Sequence, residues 1–129
     1  MAPAFSLMGI DHVAIAVFDV RRSVEWYCAV LGLERRYEDV WGDCPAIVGA
    51  GTTALALFPA KPGVAFPGQG GMPGMRHIAF AADAFNFEAA KQELTDRSIE
   101  FHFEDHQIAH SIYFKDPDGY EIEITTYDI

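Results

Sequence analysis

The chain has 129 residues, half of them hydrophobic and 22% charged, with a formal net charge of −10. That is one domain's worth of sequence with enough apolar residues for a modest core, and the acidic balance argues against nucleic acid, which needs clustered Lys and Arg. No apolar run approaches the ~18 residues of a membrane span, and the opening MAPAFSLMGI lacks the basic start and long apolar stretch of a signal peptide, so the expectation is a soluble cytoplasmic protein with no membrane partner.

In chain order, the first predicted element is a strand that starts with a histidine, His12-Val13-Ala14-Ile15-Ala16-Val17. Asp19 is placed to cap a helix beginning at Val20. Val20, Val24, Tyr27, Cys28 and Leu31 then recur at helical spacing as one apolar stripe. Gly32 supplies a left-handed stop. Strand-like runs follow at 33–40, 46–48 and 53–58, with Gly42, Asp43, Pro45, Gly49 and Gly51 in the turns. Residues 59–74 carry Pro59, Pro62, Pro67 and Pro73 of the chain's 7 prolines, and show neither helical nor strand pattern. A segment this long is a functional or mobile loop, or a plain tether.

The order then repeats. His77-Ile78-Ala79-Phe80-Ala81-Ala82 again starts with histidine and runs on apolar. Asn86 is the predicted cap of a second helix, with Phe87, Ala90 and Leu94 as its stripe and an end near Arg97. Strands are predicted at 100–103, 109–114 and 120–127, and Asp116-Pro117-Asp118-Gly119 is a strong hairpin turn between the last two. Each half therefore reads strand, helix, strand, strand, strand.

The two cysteines, Cys28 and Cys44, lack metal-site spacing. Cys28 is expected as a buried thiol and Cys44 at a turn; a disulfide would be unusual in the cytoplasm.

The repeat points to chemistry. A strand-leading histidine met once is more often structural; His12 and His77, at matching places in two copies, become ligand candidates. A carboxylate would complete a set suited to a first-row divalent metal. The last strand offers Glu121 and Glu123 on one face, with Ile122 and Ile124 on the other. Both carboxylates either face water or, if inward, need a partner or a metal.

Gly9-Ile10-Asp11-His12-Val13-Ala14, Ser23-Val24-Glu25-Trp26-Tyr27, Leu31-Gly32-Leu33, Arg76-His77-Ile78-Ala79-Phe80 and the run from Ser111 to Glu123 through Asp116-Pro117-Asp118-Gly119 together resemble the vicinal oxygen chelate superfamily over nearly the whole chain outside the linker. That superfamily includes glyoxalase I, extradiol dioxygenases, fosfomycin thiol transferases, epimerases and bleomycin-binding proteins. The resemblance implies an α+β fold of two βαβββ modules, about 8–58 and 75–127, forming a curved mixed sheet around a metal-binding groove in a single domain. It makes His12, His77 and Glu123 the metal ligands, selecting Glu123 as the fourth residue after the hairpin glycine. In some branches a fourth ligand comes from the last strand of module one, but residues 53–58 contain no Glu, Gln or His. Glyoxalase I and the epimerases are the less similar for that reason.

Two histidines and one carboxylate leave coordination positions open, as in non-haem Fe(II) oxygen chemistry; Mn(II) is the alternative. Tyr113, ten residues before Glu123, matches the tyrosine that donates a hydrogen bond near the metal in extradiol dioxygenases. His110 is a candidate acid or base, although strand alternation puts it on the face opposite Tyr113. His102 and His106 read as surface histidines in a polar acidic segment. Trp41, Leu57, Phe58 and Phe80 are candidate walls for a planar substrate. The expectation is an extradiol-type dioxygenase acting on a small molecule that chelates through vicinal oxygens, with homodimers as in relatives of this size, which sometimes pair modules between chains. Fosfomycin-type thiol transfer is an alternative, although Ala14 stands where those enzymes have threonine and their potassium loop is not recognisable in 104–109. A glyoxalase-like lyase is another. So is a non-enzymatic, bleomycin-type binder of cationic drugs, with which the net charge and the aromatics Trp26, Trp41, Phe66 and Phe103 are compatible.

Overall fold

The computed structural model describes residues 3–63 and 73–129. Most of the predicted linker, including Phe66, therefore lies outside the described residues. The chain divides into two compact units, Met1–Ala60 and Lys61–Ile129. Hydrogen-bond ladders run within each unit, so the α+β fold comprises two four-stranded mixed sheets, one per module.

Module one contains β1 (His12–Val17), α1 (Val20–Leu31), β2 (Glu34–Arg36), a one-turn helix α2 (Glu38–Trp41), β3 (Ala46–Ala50) and β4 (Thr53–Pro59). The sheet order is β1-β4-β3-β2, with β1 parallel to β4 and the other pairs antiparallel. A parallel β1–β4 pair needs a crossover, and α1 is its helical part. Asp19 caps α1 as expected, accepting from the Arg22 amide at 3.1 Å, and Gly32 closes it at φ 66° with its N–H on the Tyr27 carbonyl. The α1 face buries Ser23 and Tyr27. The buried strand residues of the core are Ile15, Val17, Val48, Leu55 and Leu57. Leu57 is fully buried, which is worth roughly 1.5–3 kcal/mol.

The strand expected over 33–40 stops at Arg36. Tyr37 takes a left-handed conformation (φ 59°) and α2 follows. Arg35 fixes the fold-back by donating to the Gly42 carbonyl at 2.6 Å and to Asp43 at 2.9 Å. The Arg35 guanidinium holds the Asp43 carboxyl below the usual carboxylate range, chiefly through that hydrogen bond.

Module two repeats the order: β5 (Ile78–Ala81), α3 (Ala84–Asp96), β6 (His102–Asp105), β7 (His110–Lys115) and β8 (Glu121–Thr126), arranged β5-β8-β7-β6 with β5 parallel to β8. The cap of α3 is Asp83, not Asn86. Asp83 is extended and accepts from both the backbone and the side-chain amide of Asn86 at 2.8 Å, so Asn86 sits inside the first turn. β6 lies two residues later than the expected 100–103. A tight turn after it, with His106 N–H on the Ala109 carbonyl (2.8 Å) and Gln107 at φ 72°, pairs Asp105 with His110 and draws the acidic residues into the ladder. The 116–119 hairpin forms as expected: Asp116 Oδ1 accepts from the amides of Asp118 and Tyr120, both at 2.9 Å, and Gly119 adopts φ 92°.

Each sheet has one face toward its crossover helix and one face away from it. In module two Ile122, Ile124 and Ile112 share the helix side with the buried Phe87 and Leu94 of α3. The opposite face carries the polar residues. Among the described residues no helix is long and apolar enough to cross a membrane.

Candidate metal centre

The polar face of module two is fixed by register. Ala79 pairs with Glu123, so His77, two residues earlier, shares the face of Glu121 and Glu123. Tyr113 lies opposite Glu123, Ser111 opposite Thr125, and His102 opposite Tyr113. Alternation therefore gathers His77, Glu121, Glu123, Ser111, Tyr113, His102 and Glu104 on one side of one sheet.

Glu123 is the best-held member. It is 7% exposed, its Oε2 accepts from Ser111 Oγ at 2.7 Å, and its Oε1 lies 2.9 Å from His77 Nε2. A carboxylate this buried is costly unless hydrogen-bonded or bound to a cation. Ser111 Oγ is also 3.0 Å from Thr125 Oγ1, which pins the serine. The other ring nitrogen of His77 is 3.8 Å from Glu121 Oε1, beyond a hydrogen bond.

Tyr113 borders the pair. Its ring meets His77 edge-on at 5.8 Å and stacks on His102 at 4.9 Å, and its hydroxyl is 2.9 Å from His106 Nε2. Burial, then the charges of Glu123 and Glu104, push its phenol above the ordinary tyrosine range, so at neutral pH it is an O–H donor. His102 and His106, expected as plain surface residues, remain solvent-accessible but are drawn to Tyr113, with Glu104 at 3.6 and 3.5 Å from their Nε2 atoms. Only the alternation of His102 opposite Tyr113 could have signalled this. His110 stands apart: its Nε2 is 3.7 Å from Asp105 and its ring packs on Phe103 at 5.1 Å, on the face away from Tyr113.

His12 belongs to module one, where it opens β1. Its Nδ1 is 2.8 Å from Asp11 Oδ2, and since a carboxylate only accepts, the neutral ring carries its proton on Nδ1 and its lone pair on Nε2. The position in module one equivalent to Glu123 is identifiable from register: Ala14 pairs with Ala56 as Ala79 pairs with Glu123. Ala56 therefore occupies the place equivalent to Glu123 and offers no ligating side-chain atom. Among the described residues, no three His, Cys, Asp or Glu side chains are gathered closely enough to hold a metal ion; the part of the expected triad that the structure brings together is His77 with Glu123. The donor types, two imidazoles and a carboxylate, suit a divalent first-row metal.

Of the expected walls, Trp41 and Phe58 line a cavity in module one that His12 also lines. Leu57 does not. It pairs with Ile15 and is buried on the helix side. Phe80 shares its face with Ile124, away from His77. Both cysteines are free thiols, Cys28 half-buried and Cys44 exposed.

A two-module α+β fold of this kind is one that known proteins share. The profile of the Glyoxalase/Bleomycin resistance protein/Dioxygenase superfamily matches residues 9–124, and the chain belongs to that superfamily. It is 30% identical over 123 residues to the metallothiol transferase FosB of Staphylococcus saprophyticus, covering 93% of this chain and 78% of the relative. It is 28% identical over 127 residues to the uncharacterized protein YaeR of Escherichia coli, covering 92% and 95%. The crystal structure of a glyoxalase/dioxygenase from Nostoc punctiforme superposes with a TM-score of 0.80 at 25% identity, covering 98% of this chain and 95% of that one.

Proposed function

We propose that this chain is a metal-dependent enzyme whose single divalent cation is held by His12, His77 and Glu123, and whose substrate is a small molecule with neighbouring oxygens. The observation that carries the reading is the buried Glu123, fixed by Ser111 on one oxygen and facing His77 on the other. The cation, Fe(II) by preference and Mn(II) as the alternative, would supply Lewis acidity and open coordination positions. A homodimer, as in relatives of this size, is part of the reading.

The chain's own residues then have definite tasks. Asp11 fixes the tautomer of His12, and Ser111 fixes the rotamer of Glu123. Tyr113 keeps its proton and donates it in a hydrogen bond to a substrate oxygen, while His106 holds the hydroxyl in place. These features favour an extradiol-type oxygenase. Proton transfer by His110 would require substrate on the opposite face of β7.

A second reading, thiol transfer, is favoured by the similarity to FosB. Ala56 in the equivalent ligand position weighs against a glyoxalase-like lyase, and a guanidinium in the module-one cavity weighs against a site for cationic drugs. The deciding experiment is elemental analysis of protein purified without added metal, followed by oxygen uptake with catechols and by thiol transfer to an epoxide. Iron with oxygen uptake supports the oxygenase; manganese with thiol transfer replaces it by the second reading; absence of any stoichiometric metal overturns both.

A further inference from the structure

The face of the first sheet that carries His12 holds a cavity of about 510 Å³, within the usual range for small-molecule sites. Its floor is low where β4 contributes Ala54 and Ala56. Its walls are aromatic. Tyr37 and Trp41 meet edge-on at 5.3 Å, and Phe58 adds a third ring. These three rings are 56%, 51% and 39% exposed, a concentration of unburied aromatic surface around one hollow.

Arg36 gives the cavity a cationic group, and Asp11, hydrogen-bonded to His12, gives it a carboxylate. Arg36 is the sole Lys or Arg among the lining residues, and its side chain is three-quarters buried, at 25% exposure. Neighbouring Arg35 is neutralised by Asp43 at 2.9 Å and Glu38 at 3.8 Å. Arg36 has a single and longer ion pair, to the exposed Glu34 at 4.0 Å. Its hydrogen bonds go to the carbonyls of Gly51 at 3.0 Å and Thr53 at 3.5 Å. A partly buried guanidinium that hydrogen-bonds only to neutral carbonyls, with its carboxylate partner at 4.0 Å and exposed, retains attraction for an anion. Its position is also built in: a Cβ at Gly49 would lie 2.5 Å from Nη1 and 2.8 Å from Cζ, so glycine at that place lets the guanidinium lie flat on β3.

We propose that this cavity binds a planar organic anion, an aromatic carboxylate, with the carboxylate on Arg36 and the ring against Tyr37, Trp41 and Phe58. The proposal rests on the metal-enzyme reading for what the ligand is for, and not for whether it binds. Joined to that reading, it makes the substrate an aromatic acid bearing vicinal oxygens rather than a neutral catechol.

The test uses chelator-treated, metal-free protein, so that its outcome is independent of the metal. Calorimetric titration compares 2-naphthoate with the isosteric neutral 2-naphthamide. Naphthoate is expected to bind at least about tenfold tighter, as one charge-assisted bidentate contact provides, and its affinity alone should fall as salt is raised. Arg36→Gln should erase the preference, lowering naphthoate affinity far more than naphthamide affinity, and Arg36→Lys, which keeps the charge, should retain part of it. Equal binding of the two probes by the wild-type protein, or no binding of either, overturns the proposal. So does a preference that survives Arg36→Gln in protein with wild-type circular dichroism. None of these results touches the metal content on which the reading of the centre depends.

Discussion

The two modules share one topology and differ in what they place on the face away from the helix. Module two puts Glu123 beside Tyr113 and His102 opposite Tyr113; module one has Ala56, Ile47 and Arg36 at the corresponding places of its ladders. One module has accumulated ligating and proton-bearing groups, the other small and aromatic residues around a hollow with a single imidazole at its edge. The comparison teaches that a repeated scaffold divides labour by substitutions on one face, since the helix-facing side must stay apolar in both copies to keep a core. Ile15, Leu55 and Leu57 in the first unit, and Ile112, Ile122 and Ile124 in the second, are all buried.

If that division is real, the largest effect belongs to the polar module. Glu123→Gln, which keeps shape and removes the charge, should lower turnover by more than the ~10–100-fold that loss of an outer partner of a metal ligand costs, with little change in thermal stability when both proteins are compared metal-free. The helix-facing layers should behave alike. Leu57→Ala and Ile122→Ala, both at fully buried positions, should each cost about 2–5 kcal/mol in urea unfolding, and a large difference between them would break the equivalence of the two cores. Next comes Tyr113→Phe, expected to lower kcat by roughly 100-fold, the low end for loss of one positioned hydrogen-bond donor, while metal content is unchanged. Ser111→Ala and Asp11→Asn probe the matching outer partners in the two modules; each should weaken metal affinity about 10–100-fold, read by competition with a chelator. The smallest effect concerns the fold-back peculiar to module one. The folded-state pKa of Asp43 is depressed, so its contribution to stability is present above the ordinary aspartate pKa and is lost as pH falls through the depressed value. Asp43→Asn should flatten that part of the acid unfolding curve and leave the neutral range nearly unchanged, as for an exposed pair.

Much of the scaffold was legible in the sequence because it depends on local chemistry. Asp19 before an apolar helical stripe, Gly32 after it, and Asp-Pro-Asp-Gly ahead of the last strand each have one favoured conformation. The missed features depend on contacts distant in sequence or on competition between near-equal signals. Asp83 and Asn86 are both good caps, and the extended backbone of Asp83 decides between them. The end of β2 depends on Arg35 reaching Gly42 and Asp43, which no periodicity reveals. At the centre, His77 and Glu123 were readable from the repeat and the closing hairpin. Ser111 was available in principle, since alternation places it on the face of Tyr113. The approach of His106 to Tyr113 was not, because it arises from the turn at Gln107.

The central claim is that one residue of module one and two of module two hold the same metal. Its most direct test is the metal content, by elemental analysis, of the wild-type protein and of the His12→Ala, His77→Ala and Glu123→Gln variants, all purified without added metal. The account predicts about one metal ion per chain in the wild type and its loss in all three variants. Full metal content in His12→Ala or in His77→Ala would contradict it.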